Sequence, residues 1–144
     1  MNNQNIIIIG NFDLFHIGHL RLITKVKFLP ETTEDTKIII ALPSDQVALS
    51  EKRQPIIIEE QRLEMIKGQK YVDDAFLYQS PEAGFTKALQ YSPKMIIVDV
   101  EGSKLIPEEY INYCKAKNIE IRFLDRTPDI STSAIIEKIR NAFQ

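Results

Sequence analysis

The chain has one cysteine in 144 residues, Cys114. A single thiol cannot close an internal disulfide, so a disulfide scaffold is excluded and a reducing, cytoplasmic setting is expected. Cys114 falls in a helical pattern over Glu108 to Lys117 with no motif around it. That favours buried packing over a catalytic thiol. Positive charge is not in excess: 18 Lys and Arg against 20 Asp and Glu leave a net charge of −2. Nucleic-acid binding through a general basic surface is therefore not expected, although a local pocket for a small polyphosphate remains open. The apolar run Ile6 to Ile9 is far too short to cross a membrane, and Met1 to Asn5 lacks the basic residues of a signal peptide. No repeat or low-complexity linker breaks the chain, so one domain over residues 1–144 is expected.

What is present is an alternation of strand and helix patterns. Ile6 to Ile9 ends at Gly10 and reads as a strand buried on both faces. A helix follows from Ile17 to Leu29, with Leu22, Val26 and Leu29 on one stripe and Pro30 ending it. Lys37 to Leu42 is a second buried strand, with Pro43-Ser44-Asp45 turning out of it. Ile56-Ile57-Ile58 has strand character, but the helix formers after it make it the entry of a helix over Ile58 to Lys67. Asp74 to Tyr78 and Met95 to Val98 are further strands, flanking a helix from Pro81 to Tyr91. Pro107, Glu108 and Glu109 suit the first turn of the next helix. Ile119 to Leu124 is a fifth strand, and a last helix runs from about Thr132 to Phe143. This order predicts an α/β fold, a Rossmann-like five-stranded parallel sheet with helices on both faces. Ligands in such sheets bind beyond the carboxyl ends of the strands. Three polar segments follow strand ends and are expected to converge: Gly10 to His19, Asp99 to Lys104, and Asp125 to Ser133.

Only two histidines occur, His16 and His19, three apart at the start of a helix and so on one face. Gly10 allows a tight turn out of the first strand, and Gly18 is expected to leave room for a phosphate against the backbone. The helix N-terminus adds free N–H groups and a positive dipole end. Two imidazoles and donor amides make a cradle for a polyphosphate. Chelation of zinc by His-x-x-His is disfavoured, because there is no third histidine and no nearby cysteine.

The segment Gly10-Asn11-Phe12-Asp13-Leu14-Phe15-His16-Ile17-Gly18-His19 resembles the signature of the nucleotidyltransferase superfamily, which includes the cytidylyltransferases. Gly10, Phe12, Asp13, His16, Gly18 and His19 match it. Leu14 looks like the glycerol-3-phosphate and ethanolamine-phosphate cytidylyltransferases or the sugar-phosphate adenylyltransferases; proline is usual there in several other adenylyltransferases. Arg126-Thr127-Pro128-Asp129-Ile130-Ser131-Thr132-Ser133 resembles the second signature, with Asp129 where glycine is usual. Ser131 is also a candidate N-cap for the last helix. The middle segment, Ser44 to Met65, is similar to the cytidylyltransferase loop and helix. Arg62 falls on a family arginine that contacts substrate phosphate, and Lys52 and Arg53 fall in the basic loop near triphosphate and acceptor. Asp99 stands where the family shows glycine near the base, which bears on base identity and on whether activity is kept.

The resemblance implies transfer of a nucleotidyl group, CMP from CTP foremost, to a small phosphorylated alcohol such as glycerol 3-phosphate. Adenylyl transfer from ATP to a sugar phosphate or related phosphate is the enzymatic alternative, and a non-catalytic nucleotide-binding relative is the other. His16, His19 and Arg126 would be catalytic. Gly10, Asn11, Phe12, Asp13, Gly18, Asp99, Thr127, Ile130, Ser131, Thr132 and Ser133 would line the nucleotide site. Lys52, Arg53 and Arg62 would meet the substrates. Mg2+ is expected to bridge phosphate oxygens, with Asp13 either helping to place it or fixing its loop by hydrogen bonds. By resemblance the protein would be a homodimer, without nucleic-acid partners or membrane insertion.

Overall fold

Ile6, Ile7 and Ile8 are fully buried, and so are Ile38, Ile39 and Ile40, in the computed structural model, which describes residues 3–99, 106–124 and 130–144. Runs of isoleucine without alternation are what a sheet covered on both faces demands. The strands are β1 (Asn5–Ile9), β2 (Ile38–Pro43), β3 (Asp74–Tyr78), β4 (Pro93–Asp99) and β5 (Glu120–Leu124). They form one sheet in the order β3-β2-β1-β4-β5 with every pairing parallel. The order runs outward from β1 in both directions. The carboxyl end of β1, where Gly10 lies, is therefore at the reversal point of the sheet, where ligands of open α/β folds bind.

The helices are α1 (Ile17–Lys27), α2 (Asp45–Glu51), α3 (Glu59–Lys67), α4 (Pro81–Leu89), α5 (Glu108–Ala116) and α6 (Thr132–Ala142). Period-two alternation along the strands divides the core. Ile6, Ile8, Ile38 and Ile40 pack with Ile23 and Val26 of α1 and Ile66 of α3. Ile7, Ile39, Ile96 and Val98 pack on the other face with Ala88 of α4 and Cys114 of α5. Cys114 is thus a packing residue, and burial pushes its thiol up from the ordinary value. No helix among the described residues is long and apolar enough to cross a membrane.

The helix α2 differs from the expected turn at Pro43-Ser44-Asp45. Ser44 caps it by accepting from the Val47 amide at 3.2 Å. Asp45 and Glu59 then hold the entries of α2 and α3 together: Glu59 Oε1 accepts from the Asp45 amide at 3.0 Å, and Asp45 Oδ2 from the Glu59 amide at 3.2 Å. Seven residues with no room for a periodic stripe leave a helix hard to read in sequence.

Candidate active site

The loop after β1 is held in a costly conformation. Phe12 and Leu14 have φ of 51° and 49°, left-handed values unusual for bulky side chains and worth about 1–3 kcal/mol of strain each. Three features hold it. The Phe12 ring is buried against His19, 5.0 Å between centroids. The Asp13 carboxylate, 3% exposed, accepts from the Ile56 amide at 2.8 Å, the Ile57 amide at 2.9 Å and Arg53 Nη1 at 3.3 Å. The Asp13 carbonyl accepts from the Thr132 hydroxyl at 2.9 Å, which ties the start of α6 to the same loop.

The two histidines cap α1 and fix each other. His16 is the N-cap residue, and its Nδ1 accepts from the Gly18 amide at 3.0 Å. His19 Nδ1 accepts from the His16 amide at 3.2 Å. Their rings stack with centroids 3.8 Å apart. A ring nitrogen that accepts a hydrogen bond carries no proton, so each neutral imidazole keeps its proton on Nε2. The cap therefore sets both tautomers, with Nε2–H as the donor edge. Such donors suit charge developing on a transferred phosphoryl group.

Gly18 serves this arrangement differently from the expectation. A Cβ there would lie 2.9 Å from His16 Cε1 and 3.3 Å from Ile130 Cγ2. The space beside Gly18 is filled by the His16 ring and Ile130, not kept for a phosphate. Gly18→Ala is expected to push the His16 ring off its cap, at about 1–3 kcal/mol, and to lower turnover. Thermal melts and kcat measured side by side check both effects.

A cavity of about 530 Å³ opens beside this loop. Gly10, Asn11, Phe12, Asp13 and His19 line it, as do Lys52, Arg53, Thr132 and Ser133. Asn11 Oδ1 is buried without a hydrogen-bond partner, the kind of group that a ligand satisfies. Ser131 caps α6 by accepting from the Ala134 amide at 3.0 Å, leaving the remaining first-turn N–H groups and the Thr132 and Ser133 side chains at the same end. Lys52 Nζ lies 3.5 Å from Ser133 Oγ, so the basic loop reaches α6. Asp99 ends β4 opposite Leu124 of β5. Arg126, Thr127 and the segment after Asp99 lie outside the described residues.

Arg62 requires a correction. It is 1% exposed and points into protein, not toward substrate. Its Nε donates to the Ile57 carbonyl at 3.0 Å and Nη1 to the Asn11 carbonyl at 3.0 Å. Nη2 donates to the Pro43 carbonyl at 2.9 Å and to Asp45 Oδ1 at 2.8 Å. One guanidinium thus joins the loop after β1, the end of β2 and the starts of α2 and α3. The reason is geometric: the planar fork meets four acceptors at the junction of these loops. Asp45, its charge partner, is a site-building residue that the sequence reading passed over; the only signal was its place next to a capping serine.

Asp13 does not fit a metal ligand. Its two oxygens already take three donors, and among the described residues no group of three or more His, Cys, Asp or Glu could hold an ion. Its geometry is that of a loop clamp. Asp13→Asn would set an amide donor against the Ile56 or Ile57 N–H and cost about 1–3 kcal/mol. Faster tryptic cleavage after Lys52 and Arg53 is the expected sign of the released loop.

A parallel sheet with its reversal point at β1, a histidine-capped helix and a second capped helix facing it define the nucleotidyltransferase class. The cytidylyltransferase-like family matches residues 7–138, and the chain belongs to it. Among curated proteins it is similar to the FAD synthase of Methanobrevibacter ruminantium, 34% identical over 138 residues, covering 92% of this chain and 89% of that protein. The FAD synthase of Methanothermus fervidus is 30% identical over 135 residues, 91% of each chain. That of Korarchaeum cryptofilum is 26% identical over 144 residues, 97% of this chain and 94% of the other. None of these is named a glycerol-3-phosphate cytidylyltransferase, the foremost of the activities that the resemblance implied. A solved structure, the lipopolysaccharide core biosynthesis protein of Thermoplasma volcanium, superposes with a TM-score of 0.65 at 20% identity over 85% of this chain and 95% of that one. That likeness concerns the fold.

Proposed function

We propose that this protein is an adenylyltransferase that joins the AMP part of ATP to FMN, forming FAD and releasing pyrophosphate. The observation that carries nucleotidyl transfer is the reciprocal histidine cap, which sets both rings with Nε2–H as the donor edge and holds His16 stacked on His19, which lines the cavity. The relatives named FAD synthase, aligned along nearly the whole chain, support ATP and FMN over CTP and glycerol 3-phosphate.

In this reading a phosphate oxygen of FMN attacks the α-phosphorus of ATP, and the bond from that phosphorus to the β-phosphate oxygen breaks. Pyrophosphate leaves with the bonding electrons. The acceptor phosphate is already ionised, so neither a protein nucleophile nor a general base is required. His16 and His19 stabilise charge on the α-phosphoryl oxygens. The first turn of α6 holds the leaving pyrophosphate through its N–H groups and the Ser131 and Ser133 hydroxyls, while the Thr132 hydroxyl ties that turn to the loop after β1. Lys52 and Arg53 neutralise phosphate charge from the loop that Asp13 clamps, and Arg126 is assigned the same work from its place in the second signature. Asn11, Gly10 and Phe12 shape the turn against the nucleotide, and Asp99 and Thr127 belong to its periphery. Residues 1–144 are read as one such domain, working as a homodimer in the cytoplasm.

Labelled ATP tests the route. Label on the α-phosphorus is expected in FAD, and label on the β- and γ-phosphates in pyrophosphate. Label trapped on the protein during turnover would replace direct transfer with a covalent intermediate.

A further inference from the structure

The cavity is larger than a triphosphate cradle requires. Beyond Gly10 and Asn11 it continues as an apolar arm on the sheet face covered by α4 and α5. Its floor is Ala41, Ile96 and Val98 of the sheet, and its walls include Tyr78, Gly84, Phe85, Ala88 and Tyr110. Small residues at 41 and 88 make the room, while the space at Gly84 is taken by the Tyr78 ring.

The walls are aromatic and ordered by close contacts. The Tyr78 ring lies against the α4 backbone at Gly84, where an added Cβ would come within 2.6 Å of Tyr78 Cγ. Phe85 of α4 and Tyr110 of α5 stack, with centroids 4.3 Å apart and planes 13° apart. Tyr113 meets Phe85 edge-on, with centroids 5.7 Å apart. Glu51, last residue of α2, is on the cavity wall. Burial pushes its carboxyl up, and burial followed by the Glu51 charge pushes the Tyr78 phenol up. The arm thus offers flat apolar walls and two polar groups.

The extent of the arm indicates which substrate it takes. Pyrophosphate is assigned to the start of α6, which Thr132 ties to the loop after β1. The arm reaches away from that loop, from the ends of β2 and β3, where Pro43 and Tyr78 are paired in register, along α4 to Ile96 and Val98 of β4 and Tyr110 of α5. A glycerol phosphate would leave it unfilled, whereas a tricyclic planar ring matches its walls.

Resting on the FMN reading, we propose that the arm bounded by Tyr78, Gly84, Phe85 and Tyr110 binds the isoalloxazine ring of the acceptor and so selects a flavin phosphate over smaller phosphates. The ring is held by stacking and exclusion of water, and Glu51 and Tyr78 meet its polar edge or the ribityl hydroxyls.

Flavin fluorescence of the full-length protein tests this. Titration with FMN, and with riboflavin as the probe lacking phosphate, is expected to quench emission for both. Phe85→Leu and Tyr78→Leu, each checked by thermal melting, are each expected to weaken FMN about 10-fold, with ATP affinity changed less than about 2-fold. Two variants keep the test open if one fails to fold. FMN bound by both folded variants as tightly as by the wild type would overturn the arm while leaving FMN adenylylation standing. Weakened ATP with unchanged FMN would make the arm the base pocket and also overturn the inference. Wild-type protein that binds ATP but neither flavin would overturn the FMN reading and this inference with it.

Discussion

Replacing His16 with Asn and His19 with Gln together is expected to remove turnover while leaving the fold in place. Both imidazoles have two tasks here. Their Nδ1 atoms accept from the Gly18 and His16 amides and so cap α1. Their Nε2–H groups are the donors assigned to the transferred phosphoryl. Asn at an N-cap and Gln three residues later are both normal capping residues, so the pair preserves the first task and gives up the imidazole Nε2–H donors, leaving only less acidic amide N–H groups that cannot become cationic. Stability should stay within about 1 kcal/mol of wild type. One lost donor of this kind costs about 10²–10³ in kcat, and two that act as a unit do not add simply, so a loss of at least ~10³ is expected. The double alanine variant loses the caps as well and should melt lower. Equilibrium denaturation beside pyrophosphate release separates the two tasks. Turnover within about tenfold of wild type in the Asn/Gln variant would remove the histidines from the chemistry.

Arg62→Met is expected to act in the opposite way, through stability first. The guanidinium is fully buried and makes four hydrogen bonds. Its removal strands the Asn11, Pro43 and Ile57 carbonyls and takes the charge partner from Asp45. Breaking a buried pair by removing one member costs about 3–5 kcal/mol, a large share of the 5–15 kcal/mol that holds a domain together. A melting point lower by roughly 10–20 °C follows for a chain of this size. Lys at this position cannot span the four acceptors and should recover little. A substrate-contacting arginine would behave otherwise, raising KM with stability nearly unchanged. Melting curves and KM for the triphosphate decide between these patterns.

These three residues also show how far the sequence could be read. The isoleucine blocks, Asp74 to Tyr78, and the proline-led helices at Pro81 and Pro107 follow from local patterns, and the structure has each of them within a few residues. The parallel sheet followed because alternation leaves few other arrangements. The histidine segment could be picked out as a candidate phosphate site because its spacing and its position after a strand are local properties. What stayed hidden depends on distant contacts. Asp13 meets Ile56 and Ile57, 43 and 44 residues away, and Arg62 meets Asn11, 51 residues away. A charge in a sequence carries no label for burial, so Arg62 passed for a ligand of phosphate. Gly18 passed for open space because a missing side chain does not say what fills the gap. The aromatic arm was equally silent. Tyr78, Phe85 and Tyr110 come from three elements, and the only local hint was Gly84 inside a helical pattern, where glycine needs a packing reason.

The central claim is adenylyl transfer to a flavin phosphate, and its most direct test is product formation. Purified protein with Mg2+ would be given ATP or CTP, each with FMN or glycerol 3-phosphate, and products would be separated by chromatography. The account predicts FAD and an equal amount of pyrophosphate from ATP with FMN, and little or no product from the other three pairs. Pyrophosphate release from CTP with glycerol 3-phosphate, with no FAD from ATP and FMN, would contradict it.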